Sequence, residues 1–165
     1  MGFNQMDFQR LIEDFTRAVE AGDGTRLAAL FTGAGVYHDT FYGEFEGREA
    51  IRAMLEERFH GDAERFLWEM EQAVCDGQTG YTSWNFSYTS IQQGSTGRRV
   101  VFQGMSRFDL EGGLIRRYSE KLDSGMALIQ LDFHPERMAK LFNRWNAPLA
   151  VQPALQRHFK GESSR

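Results

Sequence analysis

The feature that most constrains the fold is a long stretch, from position 66 to position 123, in which apolar and polar residues alternate. Residues that alternate with a period of two lie on opposite faces of a β-strand. Three short turns interrupt the alternation, at Asp76-Gly77, at residues 93–97 and at residues 111–113. Because strands joined by such short turns pair antiparallel, the stretch predicts a meander of four long strands.

Helical spacing dominates before this stretch. Apolar residues three and four positions apart predict helices over residues 8–19, 25–31 and about 48–59. The Gly33–Gly35 segment is expected to end the second helix. A short strand is then predicted over residues 36–39, followed by irregular chain.

The last quarter of the sequence returns to helix. Pro135 suits a first helical position, and an apolar face continues to Trp145. Helices that precede a run of strands predict the α+β class, in which the helices cover the concave face of a curved antiparallel sheet. We expect one domain over residues 1–165, with a core of about 8–131 and a C-terminal helical extension of about 132–160.

Composition excludes several classes of function. The 165 residues are 41% hydrophobic, and the net charge of −4 argues against binding a nucleic-acid backbone. The single cysteine, Cys75, allows no internal disulfide and favours a reducing compartment. Neither a secretory signal nor a membrane span is recognisable. We therefore expect a cytoplasmic protein without a membrane or nucleic-acid partner. The histidines lack metal-ligand spacing and there is no glycine-rich phosphate loop, so neither a metal nor another cofactor is expected.

Four stretches of the sequence resemble the nuclear-transport-factor-2-like (NTF2-like) superfamily, in particular its SnoaL-like polyketide cyclase and ketosteroid isomerase branches. They are residues 15–31 (FTRAVEAGDGTRLAALF), 35–39 (GVYHD), 45–54 (FEGREAIRAM) and 101–131 (VFQGMSRFDLEGGLIRRYSEKLDSGMALIQL). The resemblance implies a cone-shaped α+β barrel with an apolar cavity, in a dimer that pairs through the sheets. It implies less about activity, because this fold hosts isomerases, cyclases, dehydratases, epoxide hydrolases and non-catalytic binding proteins.

Asp39 is the first candidate for catalysis. The Tyr37-His38-Asp39 stretch is similar to the place where ketosteroid isomerases keep their carboxylate base. A carboxylate in an aromatic pocket has a raised pKa, which suits it to take a proton from carbon. The alternative is a structural role, in which Asp39 caps a turn or pairs with Arg48.

The resemblance to the isomerases fails at two positions. Those enzymes stabilise an enolate with a tyrosine on the first helix and a protonated aspartate on the third long strand. The matching positions here are Phe15 and Ser106. Because a phenyl ring donates no hydrogen bond and a serine is a weaker donor than a carboxylic acid, ketosteroid isomerase activity is not expected.

Asp123 is the second candidate. Residues 119–131 resemble the SnoaL-like strand end whose aspartate acts as acid and base in an aldol closure. The alternative is a structural aspartate at the end of a strand, and Lys121 beside it would lower its basicity. His38 is a third catalytic candidate, although strand parity directs it away from the face on which Asp39 lies.

Strand parity also divides the fourth long strand into two faces. One carries Arg117, Ser119, Lys121 and Asp123, and the other carries Tyr118, Glu120 and Leu122. The mixed outer faces of the long strands leave sheet surface that helices on one side cannot cover. We therefore expect a homodimer joined through the sheet, with Tyr118 and Leu122 as contacts.

The remaining candidates are side chains for the wall of an apolar ligand cavity. They are Phe15, Tyr37, Tyr42, Phe59, Trp68, Trp84, Phe86, Met105, Ser106, Lys121 and Met126. Two hypotheses of function follow. The protein binds a hydrophobic small molecule and performs acid–base chemistry at carbon without a cofactor, or it is a non-catalytic ligand-binding or dimerisation module.

Overall fold

A curved, unclosed sheet of six strands organises the first part of the protein. The computed structural model describes residues 3–161, which form two units, residues 3–131 and 132–161. The strands of the first unit are β1 (Phe31–Asp39), β2 (Gly43–Glu46), β3 (Ala63–Cys75), β4 (Thr79–Ser90), β5 (Arg99–Glu111) and β6 (Leu114–Leu122). Its helices are α1 (Gln5–Ala21), α2 (Gly24–Ala29), α3 (Arg48–Ala53), which continues as a π-helix (Met54–Phe59), α4 (His60–Asp62) and α5 (Ser124–Gln130).

The strand order confirms the predicted meander and the α+β class. Strands β3 to β6 pair with one another antiparallel and in sequence. Strand β1 completes the sheet by lying parallel to β6, and β2 forms the edge beside it, so that the order is β2-β1-β6-β5-β4-β3. Strand β2 was expected to be irregular chain.

Helix α1 packs six apolar residues into the core. The helix begins at an Asn4 capping box and ends at Gly22, which has the left-handed conformation that favours glycine. Its buried residues are Phe8, Leu11, Ile12, Phe15, Ala18 and Val19, which are those with the predicted helical spacing.

Strand β1 begins earlier than expected. The Gly33–Gly35 segment lies inside the strand instead of ending a helix, because α2 already stops at Ala29. A Cβ atom at Gly35 would lie 2.9 Å from the Phe31 side chain and 3.0 Å from the Ile115 carbonyl oxygen. This close approach explains why glycine occupies the position.

Strand β6 has the predicted parity, but its inward face is the one expected to bind a second copy. Tyr118 is fully buried, and Glu120 is buried beside it on the same face. Leu122 is half-buried and packs against the core. The prediction that Tyr118 forms a dimer contact is therefore wrong, since its ring is buried in the core, where it packs against Phe15 of α1.

The second unit is helical. It contains α6 (Pro135–Asn146), two 3₁₀ turns (Ala147–Val151 and Pro153–Leu155) and α7 (Gln156–Phe159). Pro135 occupies the first turn of α6, as predicted. Across residues 3–161, no helix is long and apolar enough to cross a membrane.

Candidate functional site

Asp39 ends β1 with its carboxyl group inside the protein, where it is 4% exposed. Its Oδ1 accepts hydrogen bonds from the backbone N–H groups of Phe41 and Tyr42, both at 2.7 Å. The described residues donate no hydrogen bond to Oδ2. Asp39 thus caps a turn and is buried as well. It forms no pair with Arg48, whose guanidinium donates to the Phe31 carbonyl at 2.7 and 2.9 Å.

Glu120 is a second buried carboxyl group and is 6% exposed. Its Oε1 accepts from the Thr40 backbone N–H at 3.2 Å, and its Oε2 accepts from the Tyr118 hydroxyl at 2.9 Å. Because Thr40 follows Asp39 directly and β1 pairs with β6, the two strands bring both carboxyl groups to one place. Strand parity groups Glu120 with Tyr118, but this face was expected to contact a second copy, so Glu120 was not predicted as a site residue.

Ionisation of both carboxyl groups is disfavoured inside the protein. Burial raises the pKa of Asp39, and the two backbone hydrogen bonds lower it only in part. Burial also raises the pKa of Glu120, and the nearby charge of Asp39 raises it further. No lysine or arginine of residues 3–161 forms an ion pair with either group. Glu120 is therefore the group of the pair that holds its proton more firmly.

A chain of buried hydrogen bonds ends at Glu120. The Trp84 indole Nε1–H donates to Ser106 Oγ at 2.8 Å, and Ser106 Oγ lies 2.8 Å from the Tyr118 hydroxyl. An indole N–H can only donate, and Tyr118 gives its single proton to Glu120, so Ser106 donates to Tyr118. The chain therefore has one direction and fixes the orientation of the Glu120 carboxyl group.

Aromatic rings surround the pair and this chain. The Phe15 ring lies parallel to that of Tyr37, with centroids 5.9 Å apart, and 5.0 Å from that of Tyr118. Trp68 and Phe108 contact Phe15 from the other strands, at 5.5 and 5.6 Å. Phe15 thus faces the interior, as expected. Hydroxyl groups, which Phe15 cannot supply, come from the strand tyrosines instead.

Half-buried aromatic residues lie next to Asp39. The charge of Asp39 contributes to raised pKa values of Tyr42 and Tyr88, although burial is the larger cause for both, and the pKa of Tyr88 reaches about 12. The Tyr42 hydroxyl donates to Asp62 Oδ2 at 2.8 Å. The partly exposed rings of this group, called the aromatic rim below, are Phe41, Tyr42, Phe59, Phe66 and Tyr88.

Most of the predicted ligand-binding residues lie in this interior or in the aromatic rim. They are Phe15, Tyr37, Tyr42, Phe59, Trp68, Trp84, Phe86 and Ser106. Three others do not: Met105 is 58% exposed, Met126 is 52% exposed, and Lys121 is exposed as well. Met105 and Lys121 lie on the outward faces of β5 and β6, and Met126 on the exposed face of α5, so none of them joins the site.

Two predicted catalytic residues also lie apart from the carboxyl pair. Asp123 is exposed and caps α5, where its Oδ1 accepts from the Gly125 N–H at 3.1 Å. This placement matches the structural alternative for Asp123. His38 is on the outward side of β1, near Glu44, and burial lowers its pKa. Within residues 3–161, no three His, Cys, Asp or Glu side chains are grouped to hold a metal ion.

A six-stranded curved sheet, helices on its concave side, and a buried acidic pair at the junction of β1 and β6 define an α+β protein of the NTF2-like fold. Residues 12–118, more than half of the chain, match the family model described as the SnoaL-like domain. The protein belongs to the SnoaL-like domain family. No functionally curated protein matches the sequence.

Solved structures with this fold agree with the assignment. TsrD from Streptomyces laurentii is 22% identical, with a TM-score of 0.67 over 78% of this chain and 96% of that one. An LEH-like epoxide hydrolase from M. tuberculosis is 18% identical, with a TM-score of 0.64 over 82% and 96%. A protein from Catenulispora acidiphila with a ketosteroid isomerase-like fold, in complex with trimethylamine, is 18% identical, with a TM-score of 0.66 over 76% and 97%. At these identities the similarity shows the fold alone.

Proposed function

We propose that the protein binds a hydrophobic small molecule beside Asp39 and Glu120 and catalyses proton transfer at carbon without a cofactor. Isomerisation, aldol cyclisation and dehydration belong to this class of reaction. The observation that carries the proposal is the pair of buried carboxyl groups with raised pKa values and no cationic partner among the described residues. Pairs of titratable groups with different pKa values supply an acid and a base at the same pH.

Asp39 is the base of this mechanism. Two backbone N–H groups hold its Oδ1, so the carboxylate is fixed, while Oδ2 accepts no hydrogen bond from the described residues and would face the substrate. Its raised pKa, caused by burial, makes it a stronger base than an exposed aspartate. Oδ2 takes a proton from the carbon next to a carbonyl group, and the C–H electron pair forms a carbon–carbon double bond.

Glu120 is the acid. As that double bond forms, the carbonyl π electrons move to oxygen, and the Glu120 proton is transferred to this oxygen to give an enol. The hydrogen bond from Tyr118 then stabilises the Glu120 carboxylate. In a β,γ-unsaturated ketone, Asp39 then gives its proton to the γ-carbon while the enol oxygen returns its proton to Glu120, which yields the conjugated isomer. In an aldol closure, the enol carbon attacks a second carbonyl carbon, Asp39 gives its proton to that carbonyl oxygen, and the enol oxygen returns its proton to Glu120.

The aromatic rim supports an apolar substrate. Tyr42 and Tyr88 lie near Asp39. Phe59 contacts Tyr42 and Phe66 contacts Tyr88, so the rim provides contact area for a hydrophobic molecule whose polar end reaches the carboxyl pair. The charge of the pair also disfavours an anionic substrate, because no cation among residues 3–161 pairs with it.

Deuterium exchange at carbon tests the proposal. The probe is β-tetralone, a bicyclic ketone with exchangeable hydrogens next to its carbonyl group, observed by NMR in deuterium oxide. We expect the protein to accelerate the exchange, and Asp39→Asn and Glu120→Gln to slow it by about 10²–10⁴-fold. Asp123→Asn is the matched control, since it alters an exposed helix cap, and it should exchange at the wild-type rate.

Two results of this experiment would reject the proposed catalytic mechanism. Exchange that Asp39→Asn leaves unchanged would exclude Asp39 as the base. Binding of β-tetralone without faster exchange would favour the alternative, a non-catalytic ligand-binding module in which Asp39 only caps its turn, as its two backbone hydrogen bonds allow.

A further inference from the structure

Two buried polar groups near the carboxyl pair have no hydrogen-bond partner. Among the residues that the structure describes, the Tyr37 hydroxyl and the Trp68 indole Nε1–H are the buried side-chain groups left unpaired. Tyr37 is fully buried and Trp68 is 5% exposed. Buried polar groups in folded proteins are almost always paired, because an unpaired group loses its hydrogen bond to water without replacement. Both groups therefore need a hydrogen-bond partner that the described residues do not supply.

The Tyr37 hydroxyl lies beside the carboxyl pair. Apart from burial, the charges of Glu120 and Asp39 are the main causes that raise the pKa of Tyr37. The Tyr118 hydroxyl is near enough to lower the pKa of Tyr37, but the two hydroxyl groups are not in hydrogen-bond geometry, and Tyr118 gives its own proton to Glu120. An acceptor atom bound to Tyr37 would therefore lie next to both carboxyl groups.

Trp68 faces the same aromatic interior from β3. Its ring contacts Phe15 at 5.5 Å and Trp84 at 5.7 Å, edge to face in both cases. Trp84 and Trp68 differ in one respect. The Trp84 N–H has an acceptor in Ser106, whereas the Trp68 N–H has none among the described residues.

We propose that Tyr37 and Trp68 bind acceptor oxygens of an uncharged ligand, and that Tyr37 holds the carbonyl oxygen at the reacting end. An indole N–H can only donate, so the group facing it must be an acceptor. An anion is disfavoured by the carboxyl pair, which no cation of the described residues compensates, and an ammonium group cannot pair with the Trp68 N–H, which only donates. The ligand is thus a neutral oxygenated compound with a ketone or ester carbonyl.

This inference rests on the location of the proposed site but not on its catalysis. If Tyr37 holds the carbonyl oxygen, the neighbouring carbon lies beside Asp39, which is the geometry that proton abstraction needs. Tyr37 on β1 and Trp68 on β3 would then donate the hydrogen bonds to the ligand that the isomerases obtain from the positions of Phe15 and Ser106.

A pair of matched probes tests the role of Tyr37. β-Tetralone carries a carbonyl oxygen, and tetralin has the same ring system without it. We expect calorimetry to give tighter binding of β-tetralone than of tetralin by about tenfold, and Tyr37→Phe to abolish this preference. Tyr81→Phe, which alters a partly exposed tyrosine, should keep it. Equal affinity for both probes, or binding of neither, would overturn the inference.

The stability of the free protein separates a ligand from a structural water. Removing an unpaired buried hydroxyl should raise the Tm of Tyr37→Phe in the absence of ligand. A fall in its Tm would mean that a permanently bound water already satisfies the hydroxyl, and would overturn the inference.

Trp68 is tested without mutation, because truncating a core tryptophan endangers the fold. In a proton–nitrogen correlation spectrum, β-tetralone should shift the Trp68 indole proton downfield, while tetralin leaves it nearly unchanged. The Trp84 indole proton, which is already bonded, is the internal control. Equal shifts with both probes would exclude Trp68 as a hydrogen-bond donor to the carbonyl compound. Deuterium exchange is measured independently of binding. A preference for β-tetralone over tetralin without faster exchange would therefore reject the proposed catalysis but support the proposed carbonyl-binding site.

Discussion

Single buried residues determine how the stability of this protein responds to pH. A carboxyl group whose pKa is raised by folding binds more protons in the folded state than in the unfolded chain. The free energy of unfolding therefore falls as pH rises from the ordinary carboxyl pKa, about 4, through the raised value. Glu120 is such a group, because burial and the Asp39 charge both raise its pKa.

We expect Glu120→Gln to be more stable than the wild type at pH 8 and to show a flatter dependence on pH. The glutamine carries no buried charge and keeps an acceptor for Tyr118, although it loses the acceptor of the Thr40 N–H, which offsets part of the gain. Urea denaturation between about pH 4 and 9 measures this difference, with exposed Glu111→Gln as the control. Parallel curves for Glu120→Gln and the wild type would contradict the raised pKa of Glu120.

Ser106→Ala tests the hydrogen-bond chain. The change removes the acceptor of the buried Trp84 indole N–H and the donor to Tyr118. We expect the free energy of unfolding to fall by about 1–3 kcal/mol in chemical denaturation. Ser119→Ala is the matched control on the outward face of β6, and an equally large loss there would refute the role of the chain.

Strand parity predicted the orientation of some of the individual site residues. The opposite orientations of Asp39 and His38 on β1 follow from the sequence, and the structure shows that the face with Tyr37 and Asp39 is the buried one. Glu120 was missed because the acid was sought at the strand end, at Asp123. A glutamate on the same face as Tyr118 was the available indication, but parity alone does not tell which face of a strand is buried.

Among the secondary-structure elements, the long strands were the most predictable and the short ones the least. Period-two alternation over nine or more residues identifies a strand, whereas the four residues of β2 are too few to show a period. Helix α5 has seven residues and was not predicted. The capping role of Asp123 was the feature that could have predicted it.

Two strand glycines permit close packing between elements, and a methyl group at either tests this packing. A Cβ atom at Gly80 would lie 2.3 Å from the Phe8 ring of α1, and one at Gly104 would lie 2.3 Å from the Trp84 ring. We expect Gly80→Ala and Gly104→Ala each to lower the free energy of unfolding by about 1–3 kcal/mol, because the core must shift. Gly33→Ala meets nothing within 4 Å and is the matched control in denaturation experiments.

For the molecule as a whole, the order of elements sufficed to predict the α+β class. The meander follows from the short turns, because strands that are joined by short turns lie next to each other and pair antiparallel. The parallel pairing of β1 with β6 could not be predicted in this way, because it joins segments that are distant in sequence. That pairing creates the site, since it brings Asp39 to Glu120.

We propose that two copies of the protein associate through the outward face of the sheet. Large apolar side chains are exposed there on three neighbouring strands, namely Leu67 (47%), Tyr81 (41%), Val101 (52%) and Met105 (58%). The strand register places Leu67 and Val101 on either side of Ser87, so they form a row across the sheet. Exposed apolar surface of this kind marks sites of protein association.

We expect light scattering at micromolar concentration to give a particle of twice 19.0 kDa. Val101→Glu should shift it to the monomer without changing the circular dichroism, because a charge on each copy would be buried against the other. Val151→Glu, an equally drastic change at an exposed position in the second unit, should leave the dimer intact. A wild-type particle of 19.0 kDa would exclude this interface, and a dimer that survives Val101→Glu would place the contact on another surface.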